Sequence, residues 1–439
     1  MKKPNVVLIV LDTLRGDYAG GLDELKAMGF LKLDAVAPSS WTLPSHVSMF
    51  TSELPSAHGV REYSGVDWEE MMRISRARLG SNTLLESLKQ KGYTTYGYSA
   101  NLFVTPQFGF AFDEYKLFNQ AGVIKETPGP AKPKRSITGM IVPLLFREDA
   151  LGGLLRWLAL DVFGTLLEAV GVHQLEKGSK PIENAVRDAG FEEPFFAFIN
   201  LMEAHQPYVW WILDTLTVRA SLLGKPPRMS WWRRVYPQHS ALSVSRGIEI
   251  ASIIMKYDPL VIITSDHGQL LGEEGRFGHG FSLDEALLRV PIYVRFPGGR
   301  SAIRAEGPVV SLAEVPKMID SVVEGEACHI GAEFALAESW GEGNYRTGGI
   351  TEVRDMHQIF MGRVGAGRVK VAAQKGSVIV NRKTGAIEEV LGDLTPAEAE
   401  ELSKKIPGQA APKPTTSAPG ITSSDEELVL GRLKQLGYE

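Results

Sequence analysis

The sequence contains a single cysteine, Cys328, and its lysines and arginines form no long basic tract. One cysteine excludes an internal disulfide, which is consistent with a reducing compartment. Together with a net charge of −5, the scattered basic residues give no reason to expect a nucleic acid as a partner. No charge-free stretch reaches the length of a membrane-spanning helix. What the chain does have is 44% hydrophobic residues over 439 positions, enough to bury a large core.

The first apolar run follows Met1-Lys2-Lys3-Pro4 and ends at Asp12. It is too short for the apolar region of a secretory signal and has the composition of a strand. We therefore expect a cytoplasmic protein, either soluble or peripheral to a membrane.

Two short apolar runs each end at acidic residues. Residues 5–11 (NVVLIVL) precede Asp12, and residues 260–264 (LVIIT) precede Ser265, Asp266 and His267. Aliphatic runs without alternation predict strands buried on both faces, as in parallel sheets covered by helices. Ligands of such sheets bind outside the carboxyl ends of the strands. The sequence therefore predicts that the acidic side chains and His267 meet at one edge of a parallel sheet.

A third segment, residues 39–46 (SSWTLPSH), places a hydroxyl nucleophile candidate, Thr42, in a short loop. Carboxylate, imidazole and hydroxyl oxygen are suitable ligands for a divalent ion, and such an ion would acidify the Thr42 hydroxyl. Each piece alone has an ordinary structural explanation. An Asp after a strand is usually a helix cap or turn residue, and the glycine in Ser-Asp-His-Gly is typical of a tight turn. The joint arrangement favours the functional interpretation.

The ordered series of motifs resembles the sulfatase family of the alkaline phosphatase superfamily. An ordered series is far more specific than any single short motif. The matching segments bracket residues 5–300 and are residues 5–17 (NVVLIVLDTLRGD), 42–46 (TLPSH), 54–60 (LPSAHGV), 203–208 (EAHQPY), 265–268 (SDHG) and 278–291 (GHGFSLDEALLRVP).

This resemblance implies an α/β fold, an alkaline-phosphatase-like sandwich with a mostly parallel central sheet flanked by helices, plus a small C-terminal α+β subdomain. We expect a catalytic core over residues 1–300, with insertions at 120–180 and 209–245. A small C-terminal sheet subdomain over 301–406 would follow, then a linker over 407–422 and a helix over 423–439.

The sequence departs from the family at the nucleophile. Sulfate-cleaving members resemble a Cys-x-Pro-Ser-Arg pattern whose first residue is oxidised to formylglycine, whereas this chain has Thr42 there and its cysteine lies outside the loop. Oxidation of a threonine would give a ketone, so the aldehyde route is closed. A threonine phosphate ester suits the covalent route, in which a second nucleophile attacks phosphorus. The resemblance then implies phosphodiesterases, phosphonate hydrolases or phosphoglycerol-type transferases.

Two alternatives stay open beside a phosphate ester hydrolase or transferase. One is a sulfuric ester hydrolase that works without formylglycine. The other is a non-catalytic binding protein with the sulfatase fold, which is disfavoured because every expected ligand position holds a competent residue.

The resemblance implies one divalent ion, held by Asp12, Thr42, Asp266 and His267. Two-zinc members carry an Asp where this chain has Leu201, and calcium-type sulfatases often have a second Asp where it has Thr13. A histidine among the ligands favours Mn or Zn over Mg or Ca, since Ca prefers sites made only of oxygen.

Further residues match positions around the substrate. His205 and His279 match positions that contact substrate oxygens, and either could protonate the leaving oxygen, because an unperturbed histidine titrates near working pH. His46 occupies the position of the family's arginine and would orient the nucleophile loop. Asn101 could donate to a phosphoryl oxygen. His58 we interpret as structural.

Two insertions stand apart by composition. Residues 139–172 are strongly apolar, and residues 209–236 hold four of the eight tryptophans, at 210, 211, 231 and 232, beside Arg228, Arg233 and Arg234. Burial against the core is the favoured interpretation. Contact with a membrane surface or a lipid-like substrate is the alternative, because indole and guanidinium groups suit lipid headgroups. The expected substrate is a small-molecule or lipid-like phosphate ester, and the oligomeric state stays open.

Overall fold

The computed structural model describes residues 3–63, 68–80, 82–120, 122–123, 145, 147, 149–209, 211–222, 224–228, 231–299, 303–341, 364–407 and 430. The linker predicted over 407–422 and the helix predicted over 423–439 lie outside these residues, apart from positions 407 and 430.

A nine-stranded sheet forms the centre of the protein. Its strands, in spatial order, are β12 (Val310–Ser311), β2 (Leu31–Val36), β10 (Arg289–Arg295), β7 (Leu260–Thr264), β1 (Val6–Leu11), β6 (Phe195–Leu201), β3 (Thr94–Ser99), β4 (Glu114–Asn119) and β5 (Gly122–Val123). Neighbouring strands are parallel except where β10 pairs with β2 and β7 and where β5 pairs with β4. The prediction of a mostly parallel sheet is therefore confirmed.

The parallel register brings several strand ends to one edge. Strand β1 pairs with β6 and β7 so that Val10 lies opposite Thr264 and Leu11 lies opposite Leu201. All residues of these three strands are buried, as expected for strands covered on both faces. The residues that follow them along the chain therefore emerge side by side.

Helices cover both faces of the sheet. Alternate residues of β1 enter two separate apolar clusters, with Val6, Leu8 and Val10 on one side and Val7, Ile9 and Leu11 on the other. The α-helices of the described residues are α1 (Thr42–Thr51), α2 (Pro55–His58), α3 (Trp68–Leu79), α4 (Leu84–Gln90), α5 (Ala150–Arg156), α6 (Gly164–Ala169), α7 (Ser179–Arg187), α8 (Trp211–Leu222), α9 (Trp232–Ile254), α10 (Glu285–Leu288), α11 (Val315–Glu324) and α12 (Pro396–Ser403). A π-helical stretch, Trp157–Phe163, joins α5 to α6. Helices α1, α4 and α11 pack on the first side, and α7 and α9 on the second.

Smaller sheets complete the fold. Strands β8 (Leu270–Glu273) and β9 (Arg276–Gly278) form a hairpin, and β11 (Ile303–Ala305) pairs with β13 (Cys328–Ile330). An antiparallel sheet contains β14 (Phe334–Gly341), β15 (Val364–Ala373), β16 (Gly376–Asn381) and β17 (Ile387–Gly392), with α12 packed against it. Its Glu338 pairs with Arg382 and accepts from the amide of Ser56, which ties this sheet to the helix after the Thr42 segment.

The two insertions behave differently from each other. Trp231 and Trp232 are buried, in line with the favoured interpretation of residues 209–236. The helical run Ala150–Ala169 is instead long and apolar enough, by length and composition, to cross a membrane, and only 22% of its most apolar window is buried. This low burial differs from the expectation for that segment.

Gly97 in β3 leaves room for two neighbouring aromatic rings by its lack of a side chain. A Cβ at this position would lie 2.6 Å from Tyr115 and 2.9 Å from Phe112. We expect Gly97→Ala to lower the free energy of unfolding by about 1–3 kcal/mol, because the added methyl overpacks the core. Urea denaturation measures this, with Gly20→Ala as the control. Gly20 has no atom within 4 Å of an added Cβ, so its variant should change stability by less than about 0.5 kcal/mol. Equal effects of the two substitutions would contradict the packing argument.

Candidate active site

Two buried carboxylates meet at the edge of the central sheet. Asp12 follows β1 and Asp266 follows β7, and a ligand atom from each lies within 4.8 Å of the other and of a ring nitrogen of His267. Asp12 Oδ1 and Asp266 Oδ2 are buried and accept no hydrogen bond within the described part of the chain. Buried polar atoms are normally satisfied, so this donor set fits a divalent cation, whose identity the oxygen and nitrogen ligands alone do not fix.

The remaining carboxylate oxygens are held by neighbouring groups. The Asn101 amide donates to Asp12 Oδ2 at 2.7 Å, and the backbone amides of Thr13 and His267 donate to Asp266 Oδ1 at 3.1 and 3.0 Å. Thr13 has a φ of 59°, the left-handed region that β-branched residues avoid. Such strain clusters at functional sites. The unusual backbone conformation of Thr13 directs its amide N–H toward the Asp266 carboxylate.

Thr42 is the first residue of α1 and reaches the same cluster. Its Oγ1 lies 3.3 Å from His267 Nε2, and the side chain is almost fully buried. The Ser45 hydroxyl donates to the Asp266 carbonyl at 2.7 Å, which attaches the helix to the loop after β7. The backbone N–H groups at the start of a helix favour an anion, so negative charge that develops beside Thr42 is stabilised.

Burial disfavours the charged forms of both acids. It raises the pKa of Asp266 to about 7. Burial, reinforced by the charge of Asp266, raises the pKa of Asp12 well above its usual range. Two carboxylates that share a buried site need an opposite charge to ionise together, and a divalent cation supplies it.

His205 and His279 lie beside this cluster. The His279 ring centre is 5.0 Å from that of His205 and 4.6 Å from that of His267. Burial lowers the pKa of His205 to about 3, and burial with the charges of His267 and His205 lowers the pKa of His279 far below its usual range. Both rings are therefore neutral at pH 7, unlike the unperturbed titration expected from the sequence. A bound anion would raise both pKa values again.

Three further predicted residues, His46, Asn101 and His58, each have defined partners. His46 is buried, lies 2.9 Å through Nδ1 from the Thr42 carbonyl, and has its pKa lowered by burial to about 3. Asn101, expected to meet a phosphoryl oxygen, instead binds Asp12 and accepts from the Phe103 amide. His58 contacts the Ser48 hydroxyl at 3.1 Å and accepts from the Val60 amide at 3.0 Å, as a structural residue would.

The structure adds three residues that the sequence reasoning missed. Asn200 of β6 lies 3.5 Å from His46 Nε2, and Gln269 accepts from His279 Nδ1 at 2.6 Å. Lys177 donates to the backbone carbonyls of Glu203 and His205, and burial lowers its pKa to about 7. Asn200 and Gln269 each lie within a few residues of a predicted strand end or motif, and this proximity could have identified them as candidates from the sequence. Lys177 has no such signal.

Comparisons with known proteins agree with this geometry. No protein-family model matches the chain. A protein of Formosa agariphila named sulfatase is 22% identical over 374 residues, covering 72% of this chain and 69% of that protein. A 2-O glycosaminoglycan sulfatase aligns at a TM-score of 0.52 and 12% identity, covering 86% of this chain and 83% of the other. The phosphonate monoester hydrolase of Silicibacter pomeroyi aligns at 0.51 and 15%, covering 90% and 88%.

The chain has the fold that sulfatases and phosphonate monoester hydrolases share. At 12–15% identity the structural likeness shows the fold alone. The sequence relative adds support for a sulfatase-type enzyme that acts on ester bonds.

Metal binding should depend on pH through Asp266. A cation competes with a proton for this carboxylate, so the apparent affinity for Mn²⁺ should fall about tenfold for each pH unit below 7. Without a cation, the raised pKa means that the stability contributed by this group is present at acid pH and lost as the pH rises through 7. We therefore expect Mn²⁺ to raise the melting temperature more at pH 8 than at pH 6, as measured by calorimetry.

One variant tests this prediction and a second variant serves as its control. Asp266→Asn should lose the metal-dependent rise at both pH values, whereas Asp188→Asn, at an exposed position after α7, should keep it. An equal or larger rise at pH 6 for the unmodified chain would count against the carboxylate site.

Proposed function

We propose that this protein is a metal-dependent hydrolase or transferase that cleaves phosphate esters through a covalent phosphothreonine on Thr42. Phosphodiesters and phosphonate monoesters are the favoured substrates. The observation that carries the proposal is the placement of the Thr42 hydroxyl 3.3 Å from His267 Nε2, next to two buried carboxylates with unsatisfied oxygens.

The residues that would hold one divalent ion are Asp12, Asp266 and His267, with Thr42 Oγ1 as a fourth ligand. A bound ion would lower the pKa of the Thr42 hydroxyl and balance charge on the transferring group. The histidine ligand favours Mn or Zn, with Mg or Ca as the alternatives.

Thr42, after loss of its hydroxyl proton to water, would attack phosphorus, forming the bond from Oγ1 to phosphorus while the bond to the leaving oxygen breaks. The position of Thr42 at the start of α1 supplies backbone N–H groups for the negative charge on the phosphoryl oxygens. His46 holds the Thr42 carbonyl and so fixes the first turn of α1 in place. Water or an acceptor alcohol would then attack phosphorus, restoring the threonine and giving hydrolysis or transfer.

The leaving oxygen needs a proton, and His279 is the residue that we assign to donate it. His279 keeps some exposure to solvent, and its Nδ1 donates to Gln269, which leaves Nε2 for the substrate side. The negative charge of a bound phosphate ester raises the pKa of the ring and favours its protonated, donating form. His205 is more buried, with Nδ1 against the Gln206 carbonyl, so we assign it to contact substrate oxygens.

Sulfuric ester hydrolysis is the second candidate, because the sequence relative is named a sulfatase. A sulfate ester on Thr42 would have to be released by attack of water at sulfur, whereas formylglycine enzymes expel sulfate by collapse to an aldehyde. The sole cysteine, Cys328, is buried in β13 and burial raises the pKa of its thiol to about 11, so it does not replace that group. Phosphorus is therefore favoured over sulfur.

The nucleophile assignment predicts a large loss in one variant. Thr42→Ala should lower kcat by at least about a thousandfold, because the covalent route is lost. Thr42→Ser, which keeps a hydroxyl, should retain activity within about a hundredfold. Steady-state turnover of p-nitrophenyl phosphate, bis-p-nitrophenyl phosphate, a phosphonate monoester and p-nitrophenyl sulfate with Mn²⁺ added after chelation measures both.

Thr51→Ala is the matched control for that experiment. Thr51 ends the same helix, and its hydroxyl donates to the Val47 carbonyl and accepts from the Glu53 amide, so its loss should leave kcat unchanged. Full turnover by Thr42→Ala would defeat the proposal, and faster turnover of the sulfate than of every phosphorus ester would favour the second candidate.

The proton-donor assignment predicts a dependence on the leaving group. His279→Ala should slow cleavage of alkyl phosphate esters by about a hundredfold to ten-thousandfold, because an alkoxide leaves poorly without a proton. It should slow p-nitrophenyl esters by about tenfold or less, since that leaving group is already stable as an anion. His329→Ala, at a half-exposed site paired with Glu306, is the control and should change neither rate. Equal losses for both ester types would instead indicate a substrate-binding role.

A further inference from the structure

An exposed apolar stripe runs along the helical segment 150–170. Its side chains are between 38% and 63% exposed, and we call them the apolar ridge: Leu151, Leu154, Leu158, Val162, Leu166 and Val170. Their spacing of three and four residues places them along one face of a helix. Trp157 and Phe163 beside the stripe are also exposed, at 40% and 41%. Contiguous apolar surface of this kind marks an interaction site.

The opposite face of the same segment is attached to the core. Trp231 Nε1 donates to the Leu160 carbonyl at 3.2 Å, and a Cβ on Gly164 would lie 2.4 Å from the same indole nitrogen. Arg234 pairs with Glu168 at 2.8 Å. The segment is thus held against the start of α9 over more than two turns. A helix packed in this way lies along the protein surface, which disfavours a crossing in which lipid would surround it.

A cationic cleft borders the apolar ridge. The cleft has a volume of about 560 Å³ and is lined by Arg156, Lys225 and Arg228, with Asp161 as the acidic residue. Residues 224–234 carry four cationic residues and no acidic one, although the whole chain has a net charge of −5. Positive charge is therefore concentrated next to the exposed apolar side chains.

We propose that the apolar ridge and the cationic cleft dock this protein on the surface of a bilayer that contains anionic phospholipid. The ridge would enter the boundary between headgroups and acyl chains, and Arg156, Lys225 and Arg228 would face the headgroup phosphates. A second copy of the chain suits this face less well, because a two-fold interface would bring the two cationic clefts toward each other.

The docking face contacts the β8–β9 hairpin, which leads along the chain to the candidate active site. Pro226 contacts Gly275 at the turn of the β8–β9 hairpin, where an added Cβ would lie 2.9 Å from the proline, and the Ser221 hydroxyl donates to the Gly275 carbonyl. The hairpin leads to His279, four residues on, or about 13 Å of extended chain. If the proposed function holds, docking would place the site near headgroup phosphates. The docking itself does not need that chemistry.

Flotation of the full chain with vesicles tests the proposal. The protein should float with phosphatidylcholine vesicles that contain phosphatidylglycerol, less at high salt, and much less with phosphatidylcholine alone. The double variants Leu154→Glu/Leu158→Glu and Lys225→Glu/Arg228→Glu should each lower the partition coefficient at least about tenfold. Val390→Glu is the matched control, since Val390 is 45% exposed on β17, and it should bind as the unmodified chain does.

Three outcomes would overturn the docking proposal. They are no flotation with anionic vesicles at low salt, equal binding by all variants, and a concentration-dependent dimer in sedimentation that Leu154→Glu/Leu158→Glu abolishes. Melting temperatures check that each variant is folded. Turnover of a soluble p-nitrophenyl ester is measured in parallel and should be the same for all variants, so a failure of the proposed chemistry is seen separately from a failure of docking.

Discussion

The close approach of Asp12 and Asp266 is the constraint on which the site depends. Burial raises the pKa of both acids, and the charge of Asp266 raises the pKa of Asp12 further. The fold offsets part of this cost with fixed donors, namely the Asn101 amide and the backbone amides of Thr13 and His267. Two oxygens, Asp12 Oδ1 and Asp266 Oδ2, are left without a hydrogen-bond partner in the part of the chain that the structure describes.

The parallel sheet is what makes such an approach possible. Because β1 and β7 run side by side in matched register, the residues after them start from neighbouring backbone positions. The start of helix α1 also lies at the cluster, tied to the loop after β7 through the Ser45 hydroxyl. Gly268, directly after His267, allows the loop to pack closely against the segment around Ala286, since a Cβ at this position would lie 1.9 Å from the Ala286 carbonyl oxygen. Elements that are far apart in sequence thus bring short side chains together into one compact site.

Much of this arrangement was predictable from the sequence, for reasons that are local. The unbroken apolar runs at residues 5–11 and 260–264 predicted strands β1 and β7. Motif order then placed Asp12, Thr42 and Asp266 together. Protonation states were not predictable, because they depend on burial. The burial of the two insertions was not predictable either, since Trp231 is buried while Trp157, of the same residue type, is exposed. Which of two apolar segments is covered depends on tertiary packing and not on composition.

A cation and an anionic substrate would together balance the charges of the site. Neutral histidines at 46, 205 and 279 surround a pair of acids that resist ionisation, so neither a free anion nor an ionised acid pair is stable there alone. A divalent cation held by Asp12 and Asp266 would cancel the pair's charge, and the helix start at Thr42 would add positive potential beside it. An anionic ester would then be attracted to that point and would raise the pKa of His279 as it arrives. Cation binding and substrate binding would therefore favour each other through electrostatics alone, before any bond is made or broken.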